Sequence, residues 1–488
     1  MTREAMSKVD TAWLRMEQPS NLMMITGIIG LEQGATYEHL LDVIKRRFLA
    51  IRRFRQKAVV TAAGAHWVID EDFEIRGHVR KVALPGSAGQ EELEEFVSDL
   101  ASTALDPSRP LWQFHYVENY IDGPVVVMRI HHCYADGIAL VQVFLSLTDA
   151  SAQAYAAATS PEKWKKEKAR ESTVFQRLLE PARDGMDLAV DVTTKLFEEA
   201  RQMVQQPEKA NRYLTEISEL VRELSQALAL PEDPRSIFKG KLGVRKRVAW
   251  SAPIPLDEVK TLGKILDCTV NDVLIAAVTG AFRSYMLSRG ESPPPGSEIR
   301  ATVPVNLRPL EHARELGNHF GLVFLALPLG VSNPLERVYR VNERMTELKA
   351  SKQATVAFGL LAALGMGPSA LQKPALDLLS EKATLVLTNV PGPAQTLYLA
   401  GGRVRDMMFW VPQSGNIGLG VSILSYDGKV FFGLIADRKL VPEPEQIIQG
   451  FRPELDKLMY LAMMLPAEVR PCSKAAESFL LRAVQDLE

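Results

Sequence analysis

The sequence predicts an α/β protein, an α+β sandwich, built as two halves. Three observations carry this. Strand-like and helix-like patterns alternate near the start of the chain and again towards its end. The stretch between them loses every strand signal. And 488 residues is enough for two domains with a connecting element. The expected division is 1–150, a helical crossover at 151–238, and 239–488.

In the first half, residues 22–31 read as a strand, rich in Ile and Met. Residues 37–51 carry apolar side chains at helical spacing. Residues 65–70 suggest a short strand and 91–104 an amphipathic helix. Pro107 and Pro110 mark a loop that delivers Leu111, Trp112 and a strand at 114–118. The PVVVMRI run at 124–130 suits a buried strand, and 138–147 suits an apolar helix.

From 151 to 230, charged and Ala-rich positions alternate with apolar ones at helical spacing, as at 173–179 and 213–230. These read as helices crossing between the halves. The Lys-Glu run at 160–170 fits a linker equally well. Beyond it, 247–253 reads as a strand and 256–266 as a helix. Thr269 is placed to cap a helix at 271–286. Strands are expected at 298–305, 323–328, 384–388, 417–424 and 429–435, and a helix at 443–465. No internal repeat is visible.

Composition excludes several classes. Hydrophobic residues make up 47% and charged residues 24%, ordinary for a globular protein with a large core. A net charge of −2 gives no support for a nucleic-acid partner, which demands concentrated positive charge. The three cysteines, Cys133, Cys268 and Cys472, are odd in number and lack metal-ligand spacing. They predict a reducing compartment, no disulfide framework and no metal site. The sequence predicts no signal peptide, because the first ten residues are polar and mixed in charge. The longest uncharged stretch, 354–372, is broken by Gly359, Gly365, Gly367 and Pro368. It reads as a buried or channel-lining helix rather than a membrane span.

The most informative stretch is His131, His132, Cys133, Tyr134, Ala135, Asp136 and Gly137, an HHxxxDG pattern. It follows the buried strand and precedes the apolar helix, so a rigid scaffold presents it. Histidine is scarce, with 8 in the chain. A histidine held neutral takes a proton from an alcohol or amine near neutral pH. Asp136-Gly137 alone is an ordinary turn pair.

HHxxxDG after a buried strand resembles the motif of the chloramphenicol acetyltransferase-like superfamily. Further segments resemble one branch of it, the bacterial wax ester synthase/diacylglycerol acyltransferases. They are residues 10–19, SRPLW at 108–112, KGKLG at 239–243 and TVND at 269–272. VPVNLRP at 303–309, LGN at 316–318 with Gly321, and TNVPGP at 388–393 complete the set. Each is short, but together they run in order over most of the chain.

The resemblance implies two chloramphenicol acetyltransferase-like domains joined by a helical crossover, with the site between them. It implies transfer of a long-chain acyl group from acyl-CoA to a diacylglycerol or fatty alcohol, giving triacylglycerol or wax ester. No cofactor is expected, since acyl-CoA is a substrate and a thioester is already activated. His132 resembles the family's base. His131 and Asp136 belong to the same catalytic motif. His131 reads better as a brace for the loop. Asp136 is expected to point away from His132 and pair with Arg308, fixing the loop. Gly137 is expected to allow close packing or an unusual dihedral.

Asn271 reads either as a helix-cap neighbour or as a group facing the substrate tunnel. Thr388 and Asn389 read either as turn residues or as tunnel-facing donors. Cys133 raises a rival, thiol-based mechanism. The reading sets it aside because neighbours on an extended segment point to opposite sides. Leu111 and Trp112 read as core. Residues 354–372 would wall a long acyl chain. The expected setting is cytoplasmic, with peripheral contact with membranes or lipid droplets. Two alternatives stand beside this: a condensation-type enzyme using a carrier-bound acyl donor, and a non-catalytic lipid-binding relative.

Overall fold

A computed structural model of the chain describes residues 3–61, 64–152, 231–306, 316–318, 320–349 and 380–465. The expected crossover helices, Arg308, Cys472 and the 354–372 wall lie outside these residues. In chain order the main elements of the first half are α1 (Lys8–Met16), β1 (Met24–Leu31), α2 (Tyr37–Val43), β2 (Gln56–Thr61), β3 (Gly64–Ile69) and β4 (Val79–Val82). They continue with α3 (Gln90–Ala101), β5 (Trp112–Val117), β6 (Val125–His131) and α4 (Gly137–Leu147). The second half begins with β7 (Lys246–Trp250), α5 (Leu256–Leu266), α6 (Val270–Ser288), β8 (Ile299–Asn306), β9 (Phe320–Leu327) and α7 (Pro334–Lys349). It ends with β10 (Leu385–Pro391), β11 (Gly402–Trp410), β12 (Leu419–Tyr426), β13 (Lys429–Asp437) and α8 (Pro444–Met464).

Two large mixed sheets and one small sheet organise these elements. The first large sheet runs Tyr398–Leu399, β11, β1, β6, β5, β4. The second runs β9, β8, β10, β12, β13, β7, with Ile254–Pro255 beside β13. The small sheet joins Glu4–Ala5, β3 and β2. β1 is buried along its whole length, which explains its unbroken apolar run: a strand covered on both faces needs no alternation.

β11 belongs by sequence to the second half but hydrogen-bonds antiparallel to β1, with Met408 opposite Ile28. It also packs on β12 and β13. One strand is therefore shared by the two layers, and the halves interlock. Other ties cross the same seam. α3 packs on β7, where the amides of Lys246 and Val248 donate to Ser102 Oγ and Ser98 Oγ at 2.8 and 2.9 Å. The buried Lys246 ammonium donates to Asn21 Oδ1 at 2.8 Å, and Asn21 Nδ2 donates to the carbonyls of Gly415 and Ile417. On the outer side of the second sheet, α6 is packed against α8, α7 and α5. Thr269 and Asp272 close a reciprocal cap at the start of α6, as the sequence predicts at Thr269.

Leu111 and Trp112 are buried, and Trp112 Nε1 donates to the Phe54 carbonyl at 2.8 Å, so this pair is core. Cys133 and Cys268 are free thiols. No group of metal-ligating side chains occurs among the described residues. No single described helix is long and apolar enough to cross a membrane. The bent pair α5–α6 meets that length and composition only jointly, and its apolar side chains fill the second core.

Candidate active site

The HHxxxDG segment leaves β6 at His131 and turns before α4 begins at Gly137. Backbone bonds fix this turn to both neighbours. His132 N donates to the Met23 carbonyl at 2.7 Å. On the other side, Ala135 forms a parallel bridge to Gly317. Gly317 N donates to the Tyr134 carbonyl, and Asp136 N donates to the Gly317 carbonyl. Gly317 has φ +106°, a backbone region that favours glycine. The LGN segment at 316–318 therefore clasps the catalytic motif.

His132 is buried and its ring stacks on Trp13, with centroids 4.2 Å apart and planes at 25°. Phe320 closes the other approach at 5.6 Å. Burial lowers the imidazole to about 4, against the opposing charge of Asp136. The ring is therefore neutral at pH 7, the state a proton acceptor needs. Nδ1 is buried, with no hydrogen bond of good geometry among the described residues, and the Asn318 side chain is the polar group beside the ring. No carboxylate orients this ring through a hydrogen bond among the described residues. Aromatic stacking holds it instead.

α1 supplies both Trp13 and a backbone clamp. Asn318 Nδ2 donates to Asp10 Oδ1 at 2.8 Å and to the His132 carbonyl at 2.9 Å. Asn318 N also donates to Asp10 Oδ1. Helix 1, the motif loop and the LGN segment thus meet at one buried amide.

His131 faces away from this cluster. Its Nδ1 accepts from Cys133 N at 3.1 Å, and its Nε2 lies 3.1 Å from Glu17 Oε2. Glu17 also accepts from Met23 N. Burial would raise the Glu17 carboxyl, yet the His131 contact and charge outweigh it and hold it below its ordinary value. These contacts support His131 as a brace.

Asp136 caps α4: its Oδ1 accepts from Ala139 N at 2.8 Å. Gly137 departs from expectation. Its dihedral is not in the positive-φ region, and an added Cβ would meet nothing within 4 Å. It lines an open apolar slot rather than a tight contact. Cys133 corrects the geometry used to set it aside. Residues 132 and 133 lie in a turn, not on an extended segment. The thiol is excluded by a different cause: complete burial pushes it well above its ordinary value, which suppresses the thiolate.

Asn271 and Asn389 are brought together, with Asn389 Nδ2 donating to Asn271 Oδ1 at 2.7 Å. Both line a cavity of about 370 Å³ in the second half, with Leu274, Val303 and Pro304. Thr388 does not join them. Its hydroxyl lies 3.3 Å from both the Val421 carbonyl and Ser422 Oγ, buried in the second sheet. Sequence reasoning missed Trp13, Glu17 and Asn318 as site residues. A signal for α1 was present, since Val9, Ala12, Trp13 and Met16 follow helical spacing behind Ser7, whose side chain caps Asp10 N.

Comparison with solved structures supports the fold class. The wax ester synthase/diacylglycerol acyltransferase of Marinobacter aquaeolei VT8 superposes with a TM-score of 0.65 at 21% identity, over 94% of this chain and 99% of that one. A condensation domain of the calcium-dependent antibiotic synthetase superposes with a TM-score of 0.56 at 13% identity, over 94% and 96%. The protein thus has the chloramphenicol acetyltransferase-like fold. The signature described as "Wax ester synthase/diacylglycerol acyltransferase catalytic domain" matches residues 6–274, and that of the "WS/DGAT C-terminal domain" matches 316–459. A Mycobacterium tuberculosis chain, named as a probable diacylglycerol O-acyltransferase, is 27% identical over 94% of this chain and 96% of its own length. The chain belongs to the wax ester synthase/diacylglycerol acyltransferase family.

Proposed function

We propose that the protein transfers a long-chain acyl group from acyl-CoA to a lipid alcohol, with His132 as general base. The observation that carries the base assignment is a buried, neutral imidazole held by Trp13 and Phe320 at the end of β6. The acceptor hydroxyl oxygen attacks the thioester carbonyl while His132 takes its proton. The tetrahedral intermediate then collapses, the C–S bond breaks, and the imidazolium returns the proton to the departing sulfur. No cofactor enters this sequence, because the thioester supplies the activation. Dry surroundings protect the thioester from hydrolysis and strengthen polar contacts to the oxyanion. His131, Asp136 and Gly137 act through the loop: His131 braces it and Asp136 starts α4. Arg308 is assigned as the ion-pair partner of Asp136. Asn271 is assigned to the substrate tunnel, supported by its place on the wall of the 370 Å³ cavity. Thr388 is assigned to support of β10 rather than to substrate.

Both a diacylglycerol and a fatty alcohol fit this chemistry. Purified protein given palmitoyl-CoA with hexadecanol or with dipalmitoylglycerol tests the reading, through thiol release and ester formation. Acceptor-dependent release of thiol with matching ester is expected. No release with either acceptor from folded protein would overturn it.

The protein is further assigned to cytoplasmic lipid surfaces as a peripheral visitor, since its products are insoluble in water. Tyr460 and Met464, 71% and 79% exposed one turn apart on α8, would suit such contact. Flotation with triacylglycerol emulsions checks this: protein confined to the aqueous fraction would oppose it.

A further inference from the structure

Lys246 is a buried cation that the reaction above does not use. Its side chain is 4% exposed, at the seam between the halves. The ammonium donates to Asn21 Oδ1 at 2.8 Å, while the Asp437 carboxylate lies 3.6 Å away. The second distance gives charge attraction but is long for a hydrogen bond. Asp437 is served by other donors, the amides of Gly243 at 2.8 Å and Lys439 at 3.0 Å. Burial pushes the Lys246 amine down from its ordinary 10.5 to about 8, against the attraction of Asp437. The charge is therefore held at a cost to stability, and a well-packed apolar side chain would serve the fold at least as well.

Asn21 shows what the charge does. Its Nδ2 donates to the carbonyls of Gly415 and Ile417 at 2.8 and 2.9 Å. Those bonds orient the amide, so Oδ1 faces the other way and needs a donor, which Lys246 supplies. β7, the loop between β11 and β12, and the link from α1 to β1 all meet at this one amide.

That link carries the histidine loop. Gln18 and Asn21 exchange backbone hydrogen bonds at 3.1 and 2.9 Å, closing a short turn. Just before the turn, Glu17 Oε2 lies 3.1 Å from His131 Nε2. Just after it, the Met23 carbonyl accepts from His132 N at 2.7 Å. α1, which leads into the link, lays Trp13 on the His132 ring. A shift of the turn displaces all of these ties together.

We infer that Lys246 is a positioning residue for the acyl transfer: through Asn21, its ammonium locks the turn that aligns the histidine loop with the second half. This rests on the acyl-transfer reading above, and hydrogen exchange tests it apart from that reading. Lys246 acts at a distance from the base, so its loss lowers kcat and leaves acyl-CoA binding alone.

The experiment compares wild type with Lys246→Met, and with Lys246→Met combined with Asp437→Asn. The combined variant removes both buried charges, so no carboxylate is stranded. Thermal unfolding confirms that each variant is folded. At saturating acceptor, kcat is expected to fall about tenfold or more, with KM for palmitoyl-CoA within about twofold of wild type. Asn21→Ala is expected to show a similar loss, and adding it to Lys246→Met to lower kcat no further, because both substitutions cut one tie. Hydrogen exchange is followed on peptides spanning 17–24 and 131–136. Exchange there is expected to quicken in the variants, with β5 unchanged. An unaltered kcat in the folded combined variant, a change confined to KM, or losses that multiply in full on adding Asn21→Ala would overturn the inference. If wild type transfers no acyl group, the acyl-transfer reading fails and exchange decides alone. Faster exchange in both peptides then supports the lock, and unchanged exchange overturns it.

Discussion

Trp13 and His132 stack at 4.2 Å, across a gap of more than a hundred residues in sequence. The ring proposed to accept the proton is therefore positioned by an aromatic face of α1 rather than by a carboxylate. Replacing Trp13 with Ala removes that face and a buried side chain, at a stability cost of about 3–5 kcal/mol. Trp13→Phe keeps a face. The expected result is a kcat loss of about a hundredfold for Trp13→Ala, largely recovered in Trp13→Phe, with thermal unfolding as the control. Equal loss in both variants would assign Trp13 a packing role only.

Asn318 joins Asp10 to the His132 carbonyl. Asn318→Ala leaves a buried carboxylate short of a donor, costing about 1–3 kcal/mol. The loop loses its clamp at the same time. A fall in kcat of about tenfold or more, with KM for acyl-CoA little changed, is expected from displacement of the base. Steady-state kinetics at saturating acceptor measures it. A change confined to KM would contradict the clamp.

The pH behaviour follows from the burial of His132, which lowers it from its ordinary 6.5 to about 4. In the folded protein the ring resists protonation; in the unfolded chain it does not. As pH falls from 6.5 towards 4 the unfolded chain binds the extra proton, so stability falls across that window. The full loss is about 3 kcal/mol. His132→Phe should show a smaller slope of unfolding free energy between pH 6.5 and 4 than wild type. Activity should likewise keep its base form well below pH 6, so kcat/KM shows no His132 titration near 6.5. A clear step at 6.5 would mean the ring is solvated.

Away from the site, Arg337 and Glu454 form a buried ion pair at 2.7 Å. It ties α7 to α8 beneath α6, where a Cβ on Gly280 would strike Glu454. Glu454→Ala strands the guanidinium and is expected to cost about 3–5 kcal/mol, read by denaturant unfolding, with the kinetics of the surviving folded fraction unaltered. A loss under 1 kcal/mol, as at exposed pairs, would show that water reaches Arg337.

Much of this was legible in the sequence because its signals are local. Thr269 announced α6 by its cap. The run at 124–130 announced β6, and Gly137 opens α4 as expected. What escaped depends on pairing. β11 carries Arg403, Arg405 and Asp406 in its exposed or half-buried first part, which interrupts its apolar pattern, and its partner β1 is hundreds of residues away. Asn318 belongs to the LGN segment that the sequence singles out, but its tie to Asp10 and the His132 carbonyl shows only in its contacts. Trp13 reads as ordinary helical core until His132 is placed beside it. Gly137 was expected to relieve crowding, yet it faces open space, because sequence does not show where a cavity lies. Cys133 lies in the turn expected between the strand and the helix, not on the extended segment by which its thiol was set aside.

The central claim is that His132 takes the acceptor's proton. Acceptor-dependent thiol release from palmitoyl-CoA, measured for wild type and His132→Ala, tests it most directly. The account predicts that folded His132→Ala loses a factor of about a hundred or more in kcat, with acyl-CoA binding preserved. Activity within a few-fold of wild type would contradict it and place the chemistry elsewhere in the molecule.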